Sequence, residues 1–237
     1  MHQKKIVSHK RPGFTLLELL IVIGILAILS AVVIFVLNPA ETLRKSRDAQ
    51  RISDLSTAKS ALALYLVNTG TPLLDNVANN TCKNGTGVKT MYYSYPNDAP
   101  GAPITDVLFD GGTATAAGQV ASADLGKLGP AGVGSAGWLP VNLRDLAAGG
   151  SPISNMPIDP TNDITTGGST AAAVTSGALV YRYMCDKNDL TFEIDAQLES
   201  TAYTTNPDNK LTKDGGNNPN LYEVGTKLTI LGAGTDL

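Results

Sequence analysis

The chain of 237 residues has very little histidine, cysteine or aromatic side chain. Its two histidines, His2 and His9, both lie in the first 13 residues, and no Gly-x-Ser-x-Gly motif or phosphate-binding loop occurs anywhere. These absences remove the usual nucleophilic, phosphate-binding and histidine–metal chemistries. We therefore predict that the protein is not an enzyme. Because aromatic residues make up only 5% of the chain, any core is also expected to be modest.

Positive charge is scarce after the first 13 residues. The whole chain has a formal net charge of −3, with 18 basic and 21 acidic residues. Residues 1–13 contain four of the cations, Lys4, Lys5, Lys10 and Arg11, so 14 basic and 21 acidic residues remain, a net charge of −7. Such an acidic product has no basic cluster, and we expect that nucleic acid is not a main partner.

One long hydrophobic run, residues 14–37, follows the basic segment. It is interrupted only by Thr15, Glu18, Gly24 and Ser30. As a helix it would extend about 36 Å, enough to cross the ~30 Å hydrocarbon core of a bilayer. The preceding cations predict that the N-terminus is cytoplasmic and the rest of the chain lies outside. Since no small-residue signal-peptide cleavage site follows the run, an uncleaved single-pass anchor is one interpretation.

Glu18 is unusual in such a segment because a carboxylate within a membrane costs several kcal/mol unless it is neutralised or paired. No basic residue follows until Arg44, too far along the helix to be its partner. A cut after Gly13 would free the α-amino group of Phe14, which could pair with Glu18 of a neighbouring subunit. The alternative is a Glu18 that stays protonated or reaches the membrane edge.

The stretch KRPGFTLLELLIVIGILAIL, residues 10–29, resembles the processing and assembly motif of type IV pilins and type II secretion pseudopilins. Gly13, Phe14 and Glu18 match the motif without a gap. The resemblance implies cleavage between Gly13 and Phe14 by prepilin peptidase, with N-methylation of Phe14. It also implies that Glu18 acts in assembly with other copies of the chain or related pilins, on an inner-membrane platform with its ATPase.

The resemblance therefore implies a structural filament subunit. Before assembly it would lie in the lipid of the bacterial inner membrane as a single-pass protein, with its C-terminal head outside. The large head, rich in Gly, Ala and Thr, favours a pilus at the cell surface over a periplasmic secretion pseudopilus. A membrane-anchored binding module that never polymerises is a further alternative.

We predict an α+β fold in which a long N-terminal helix packs on a small antiparallel sheet. Residues 14–37 would form the transmembrane or filament-core half and residues 38–69 an amphipathic half. Pro39 either kinks this helix or begins a second one. The predicted apolar side comprises Leu43, Ala49, Ile52, Leu55, Ala58, Ala61, Leu62 and Tyr65 or Leu66. The charged residues predicted to lie mostly on the other side are Arg44, Lys45, Arg47, Asp48, Arg51, Asp54 and Lys59. The basic group Arg44, Lys45, Arg47 and Arg51 is expected to form a solvated face; contact with lipid head groups or with acidic faces of neighbouring subunits is the alternative.

Residues 70–237 form the predicted extracytoplasmic head, with a loop-rich insertion at about 97–150. Alternating apolar residues predict an antiparallel hairpin whose strands flank a polar turn at 185–189. The predicted strands are 89–95, 178–184, 190–198 and a last one at either 222–224 or 227–231.

The two cysteines, Cys82 and Cys185, can form a disulfide if the head lies outside the cytoplasm. The bond would tie the loop after the helix to the hairpin turn, and two free thiols are the alternative.

The stretch 206–218 is dense in oxygen-bearing side chains, which hard cations such as calcium use as ligands. The resemblance to major pseudopilins, which often carry calcium in this part of the head, implies a calcium site with Asp208 and Asp214 as its first candidates. The alternative is an ordinary set of turns, because clusters of Asn, Asp and Gly commonly form them.

Overall fold

The computed structural model describes residues 13–75, 78–84, 89–94, 105–106, 114–116, 127–128, 137–144, 150–162, 173–174, 178–205 and 207–232. Most of the predicted insertion at about 97–150 lies outside these ranges. The chain divides into two compact units, Met1–Thr42 and Leu43–Leu237. The head, residues 70–237 as above, lies within the second unit.

The first helix, α1, spans Leu16–Leu37. Its sequence is almost uninterrupted Leu, Ile, Val and Ala, and Thr15 caps its N-terminus. It ends at Asn38, which takes a left-handed backbone conformation with φ of 37°. Asparagine tolerates this conformation better than most residues, and it stops the helical hydrogen-bond pattern.

The second helix, α2, spans Pro39–Asn68. Asn38 accepts a hydrogen bond at its Oδ1 from the Glu41 backbone N–H at 3.4 Å. Pro39 occupies the first helical position, where no backbone N–H is needed. Of the two outcomes predicted for Pro39, a new helix start is therefore the correct one.

The buried face of α2 differs from the predicted one. Its buried residues follow helical spacing and are Asp48, Arg51, Leu55, Ala58, Ala61, Leu62 and Tyr65. The prediction of a charged side opposite the buried one was wrong for Asp48 and Arg51, which are fully buried, and so was the prediction that Arg51 lies on a solvated face. The predicted apolar side was wrong for Leu43, which is 61% exposed, and for Ala49. The buried face of α2 includes the charged residues Asp48 and Arg51 because both side chains bind partners in the head.

The described strands, in chain order, are β1 (Lys89–Tyr93), β2 (Thr105–Asp106), β3 (Ala114–Ala116), β4 (Ala173–Val174), β5 (Tyr181–Asp186), β6 (Thr191–Ala196) and β7 (Tyr222–Gly225). Strands β1, β5, β6 and β7 form an antiparallel sheet in that order, and β3 adds in parallel to β1. Strands β2 and β4 form a separate parallel pair. A short helix, α3 (Thr201–Thr204), lies between β6 and β7.

This arrangement confirms the α+β fold with a small antiparallel sheet. The β5–β6 hairpin is confirmed, with Tyr183 opposite Ile194. The last strand is the first of the two predicted segments. Residues 227–231 form no strand; instead, the backbone N–H groups of Ile230 and Leu231 donate to the Glu193 side chain.

Both faces of the sheet are buried around the β5–β6–β7 strands. One face packs against α2 in the hydrophobic core, which includes Leu62, Trp138, Tyr183, Phe192 and Ile194. The opposite face carries charged residues that are also buried, including Arg182, Glu193, Asp195 and Glu223. Strand alternation accounts for the two chemically different faces.

Candidate processing and assembly site

The Gly13–Phe14 junction lies directly before α1 on exposed chain. The Phe14 side chain is 83% exposed. No described atom lies within 4 Å of the position that a Cβ on Gly13 would take. The peptide bond predicted to be cut is therefore not covered by the described part of the chain.

Glu18 closes a capping box at the start of α1. Its Oε2 accepts hydrogen bonds from the backbone N–H and the hydroxyl of Thr15, both at 2.8 Å. In return, the Thr15 Oγ1 accepts from the Glu18 backbone N–H at 3.2 Å. The sequence reasoning missed Thr15, although the Thr-x-x-Glu spacing is the local signature of this cap.

The surface of α1 is apolar and uncovered. The window Leu16–Val33 has a mean hydropathy of 2.9, and none of it is buried. Among the described residues, α1 is one helix whose length and apolar composition would allow it to cross a membrane. An all-apolar helical surface of this kind requires lipid or other helices around it.

Residues 8–34 match the prokaryotic N-terminal methylation motif. This is the prepilin-type leader of type IV pilins and pseudopilins. A prepilin-type leader implies processing by prepilin peptidase and assembly with other pilin subunits, and it indicates a membrane-anchored protein of pilin type. The pilins and pseudopilins are structural and not enzymatic. Neither a search of curated proteins nor a search of solved structures gives a significant match.

In the head behind this leader, Cys82 and Cys185 are joined by a disulfide bond. Their Cα atoms are 4.7 Å apart, although 103 residues separate them in the sequence. Both cysteines are fully buried. The bond ties the segment after α2 to strand β5, and a cross-link of this kind typically stabilises a domain by about 2–4 kcal/mol.

Arg51 is the centre of a buried ion-pair network, called the Arg51 cluster. Its members are Arg47, Asp48, Arg51, Asp159 and Glu199. The Arg51 Nε and Nη2 donate to the two carboxylate oxygens of Asp159 at 2.6 and 3.0 Å. Its Nη1 donates to Asp48 at 2.8 Å and to Glu199 at 2.7 Å. Arg47 binds Glu199 through two further bonds of 2.8 Å.

The Arg51 cluster fixes α2 to two distant segments of the head. Asp48 also accepts hydrogen bonds from the backbone N–H groups of Glu199 and Ser200, at 2.7–3.1 Å. Burial alone would lower the pKa of Arg51, but the carboxylates of Asp159, Glu199 and Asp48 together raise it above its ordinary value. The bonds from Arg47, and then from Arg51, lower the pKa of Glu199 to about 2. Arg51 and Glu199 are therefore both ionised at neutral pH.

Asp208 and Asp214, the two predicted calcium ligands, have separate partners in the structure. Asp208 is exposed and pairs with the Lys210 Nζ at 2.9 Å, which lowers the pKa of that carboxyl group. The Asp214 carboxylate accepts from the backbone N–H groups of Gly216 and Glu223, each at 2.9 Å. Within the described residues, no group of three or more His, Cys, Asp or Glu is arranged to hold a metal ion. Calcium binding by this pair stays a prediction.

Proposed function

We propose that the chain is the structural subunit of a type IV pilus-like filament. It is cut between Gly13 and Phe14, methylated on the new Phe14 amine, and polymerised through α1. The observation that carries the proposal is an exposed, predominantly apolar helix that begins with a processing motif and has one carboxylate, Glu18, in its first turn. A helix of this kind is stable in lipid and, after assembly, among the helices of other subunits.

The capping box leaves Glu18 able to bind an amine from another subunit. Both bonds from Thr15 go to Oε2, and no described residue donates to Oε1. An ionised carboxylate offers about four acceptor positions, so it can cap its own helix and accept a further donor. The Phe14 ammonium of an incoming subunit supplies that donor, and the two buried charges offset each other's desolvation cost.

The head supports an extracytoplasmic position for this subunit. A buried disulfide is typical of proteins that fold in an oxidising compartment. We infer an inner-membrane intermediate with the head outside, from which an ATPase-driven platform builds the filament. The proposed role is structural and not enzymatic. The large Gly-, Ala- and Thr-rich head favours a pilus over a secretion pseudopilus.

Two variants separate the assembly role of Glu18 from its capping role. Glu18→Gln keeps a side-chain acceptor for Thr15 but removes the charge, since glutamine also serves in a capping box. Thr15→Ala removes the hydroxyl and keeps the carboxylate. We expect both precursors to be cut normally, Glu18→Gln to give at least tenfold fewer sheared filaments, and Thr15→Ala to assemble nearly as the wild type does. Wild-type filament yield from Glu18→Gln would contradict the pairing of Glu18 with the amine.

Mass analysis of the N-terminus tests the proposal as a whole. A filament fraction whose chains begin with methylated Phe14 is the expected result. A chain that keeps Met1 and is found only in the membrane would overturn it and favour the membrane-anchored binding module. If filaments form but deletion of the gene stops protein secretion, the chain is the subunit of a secretion pseudopilus instead.

A further inference from the structure

Three lysines surround one exposed aspartate in the second unit of the chain. Lys45 lies on α2, whereas Lys210 and Lys213 come from the segment that follows α3. Lys210 donates to the Asp208 carboxylate at 2.9 Å. That bond, followed by the charges of Lys213 and Lys45, lowers the pKa of Asp208. The fold therefore brings together, around one carboxylate, cations that lie far apart in the sequence.

The ring of Tyr203 holds two of these lysines at one surface. The Lys45 Nζ lies 5.5 Å from the ring centre, and the Lys210 Nζ lies 5.7 Å from it. A cation–π contact of this kind orients an ammonium group without neutralising its charge. Lys45 and Lys213 are exposed, and the Lys210 side chain is 36% exposed. The three lysines and Tyr203 are called the Lys45 patch. Against the one carboxylate of Asp208, they leave a net charge of +2.

The described surface offers little negative charge that could pair with this patch in another copy of the chain. Among the acidic residues whose side chains the structure describes, only Glu18, Asp189 and Asp208 are exposed. Glu18 is assigned above to the Phe14 amine, and Asp208 lies within the patch. Lys227 binds Asp189 at 2.7 Å. Charge complementarity therefore favours a partner other than a second copy of the described surface.

The start of α2 keeps the patch close to the end of the apolar helix. Helix α1 ends at Leu37, and α2 begins at Pro39. When α1 crosses a bilayer, Pro39 therefore lies near the bilayer surface. Lys45 follows on α2 at about 9 Å from Pro39, given a rise of ~1.5 Å per residue. This distance holds whichever direction α2 takes. It is close to the screening length of about 8–10 Å over which exposed charges interact in physiological salt.

We propose that the Lys45 patch binds the anionic head groups of the lipid around α1 before the subunit is assembled. This inference rests on the membrane-anchored intermediate of the proposed function. A lysine beside an anionic bilayer is favoured about fivefold. Tyr203 adds an amphipathic ring of the kind that is enriched at membrane–water interfaces. Arg47 and Arg51 are excluded from this role because both are bound to Glu199 in the Arg51 cluster. The patch would hold the start of α2 at the membrane until the subunit is extracted.

Lysine footprinting of the full-length chain in nanodiscs measures this contact. The discs contain phosphatidylcholine alone or phosphatidylcholine with phosphatidylglycerol, and peptide mass spectrometry gives the rate at which a water-soluble reagent acylates each lysine. We expect Lys45, Lys210 and Lys213 to react about fivefold more slowly in the anionic discs. Lys59 is exposed and lies about 21 Å further along α2, so it should react equally in both discs. Salt at about 1 M shortens the screening length to about 3 Å and should abolish the difference.

Three results would overturn the lipid contact. The first is an equal rate for the patch lysines in the two kinds of disc. The second is slow acylation in filaments but in neither disc, which would identify an acidic face of another subunit as the partner. The third is protection by glycerol 3-phosphate, added to the phosphatidylcholine discs, that equals the protection by the anionic lipid. That result would show a site for a free phosphate instead of a membrane contact.

A pair of variants then tests whether the patch acts as one surface. The double substitution Lys210→Gln and Lys213→Gln should reduce the protection of Lys45 in anionic discs to below about twofold. Lys59→Gln is the matched control and should keep the wild-type protection. Full protection of Lys45 in the double variant would contradict a surface shared between α2 and the segment after α3. Filament yield is not a readout here, so failure of the lipid contact and failure of assembly are observed separately.

Discussion

The Arg51 cluster and the pair formed by Glu193 on β6 and Glu223 on β7 both bury carboxyl groups in the head. Among the described residues, only the Arg51 cluster has a cation at its centre. In the Arg51 cluster, one guanidinium donates to three carboxylates, and each bond is between 2.6 and 3.0 Å. In the Glu193–Glu223 pair, two buried carboxyl groups lie together, and the Glu193 Oε1 has no donor among the described residues. Burial, and then the neighbouring Glu223, raise the pKa of Glu193 to about 10. The Arg51 cluster is neutralised by a cation, whereas the Glu193–Glu223 pair is neutralised by a proton.

This difference shows that buried carboxyl groups in one domain can be neutralised in two ways, by a fixed cation or by a raised pKa. A buried charge is retained at low cost only when its partners are fixed and its hydrogen bonds are satisfied. Arg51 meets that condition through bonds to segments more than 100 residues away, at Asp159 and Glu199. Glu193 meets it only in part, through the backbone N–H groups of Ile230 and Leu231.

Arg51→Met should have the largest effect on stability. It would leave Asp48 and Asp159, both buried, without their cation, and we expect a loss of about 3–5 kcal/mol. Urea unfolding of the full-length chain in detergent, followed by the fluorescence of the single tryptophan, Trp138, measures it. Arg47→Met is the control: its side chain is 35% exposed, so the loss should stay below about 1 kcal/mol. Equal losses in the two variants would remove the distinction between a central and a peripheral cation.

Glu193→Gln should act in the opposite direction and stabilise the head. An amide can donate to the Glu223 carboxylate, and one of two adjacent buried acids is gone. We expect a gain of about 1–2 kcal/mol, measured by the same urea unfolding. Asp208→Asn should change stability by less than about 0.5 kcal/mol, because its carboxylate is on the surface. A marked loss in Glu193→Gln under these conditions would show that the acid pair is already satisfied.

The smallest expected effect is the pH dependence that Glu199 confers. Its pKa in the folded head is about 2, lowered from an ordinary value of 4.5 by Arg47 and Arg51. A depressed carboxyl pKa contributes stability that is fully present above pH 4.5 and is lost as pH falls from 4.5 to about 2. A series of Tm values over this window should fall less steeply for Glu199→Gln than for the wild type. Parallel curves would remove Glu199 from the acid response.

The hairpin was predictable because its signal is local, whereas the last strand could be narrowed only to two candidate segments, 222–224 and 227–231. Strand β6 alternates strictly, and Phe192 and Ile194 lie on the core side as that pattern requires. The break at Pro39 was predictable for the same reason. The cap formed by Thr15 was equally local, and the Thr-x-x-Glu spacing could have found it.

The two buried charge clusters were not predictable from local pattern. Asp48 and Arg51 are three residues apart on a helix, which is also the pattern of an ordinary solvated face. Their burial depends on Asp159 and Glu199. A local sequence pattern cannot identify partners that lie more than 100 residues away. Glu193 alternates with apolar neighbours, and this pattern is typical of a strand with one solvent-exposed face. It is buried because the loop near Gly216 and the segment at Ile230 cover that face.

The Arg51 cluster also has a consequence for mechanical load. A filament subunit of the proposed kind is pulled through its N-terminal helix, and tension in the chain passes into α2. Bonds from Arg51 to Asp159, to Glu199 and, through Asp48, to Ser200 lie side by side between α2 and the head. Bonds loaded in parallel share a force and must fail together, whereas bonds loaded in series fail one at a time. This arrangement would resist the shearing of α2 away from the sheet while the filament is under tension.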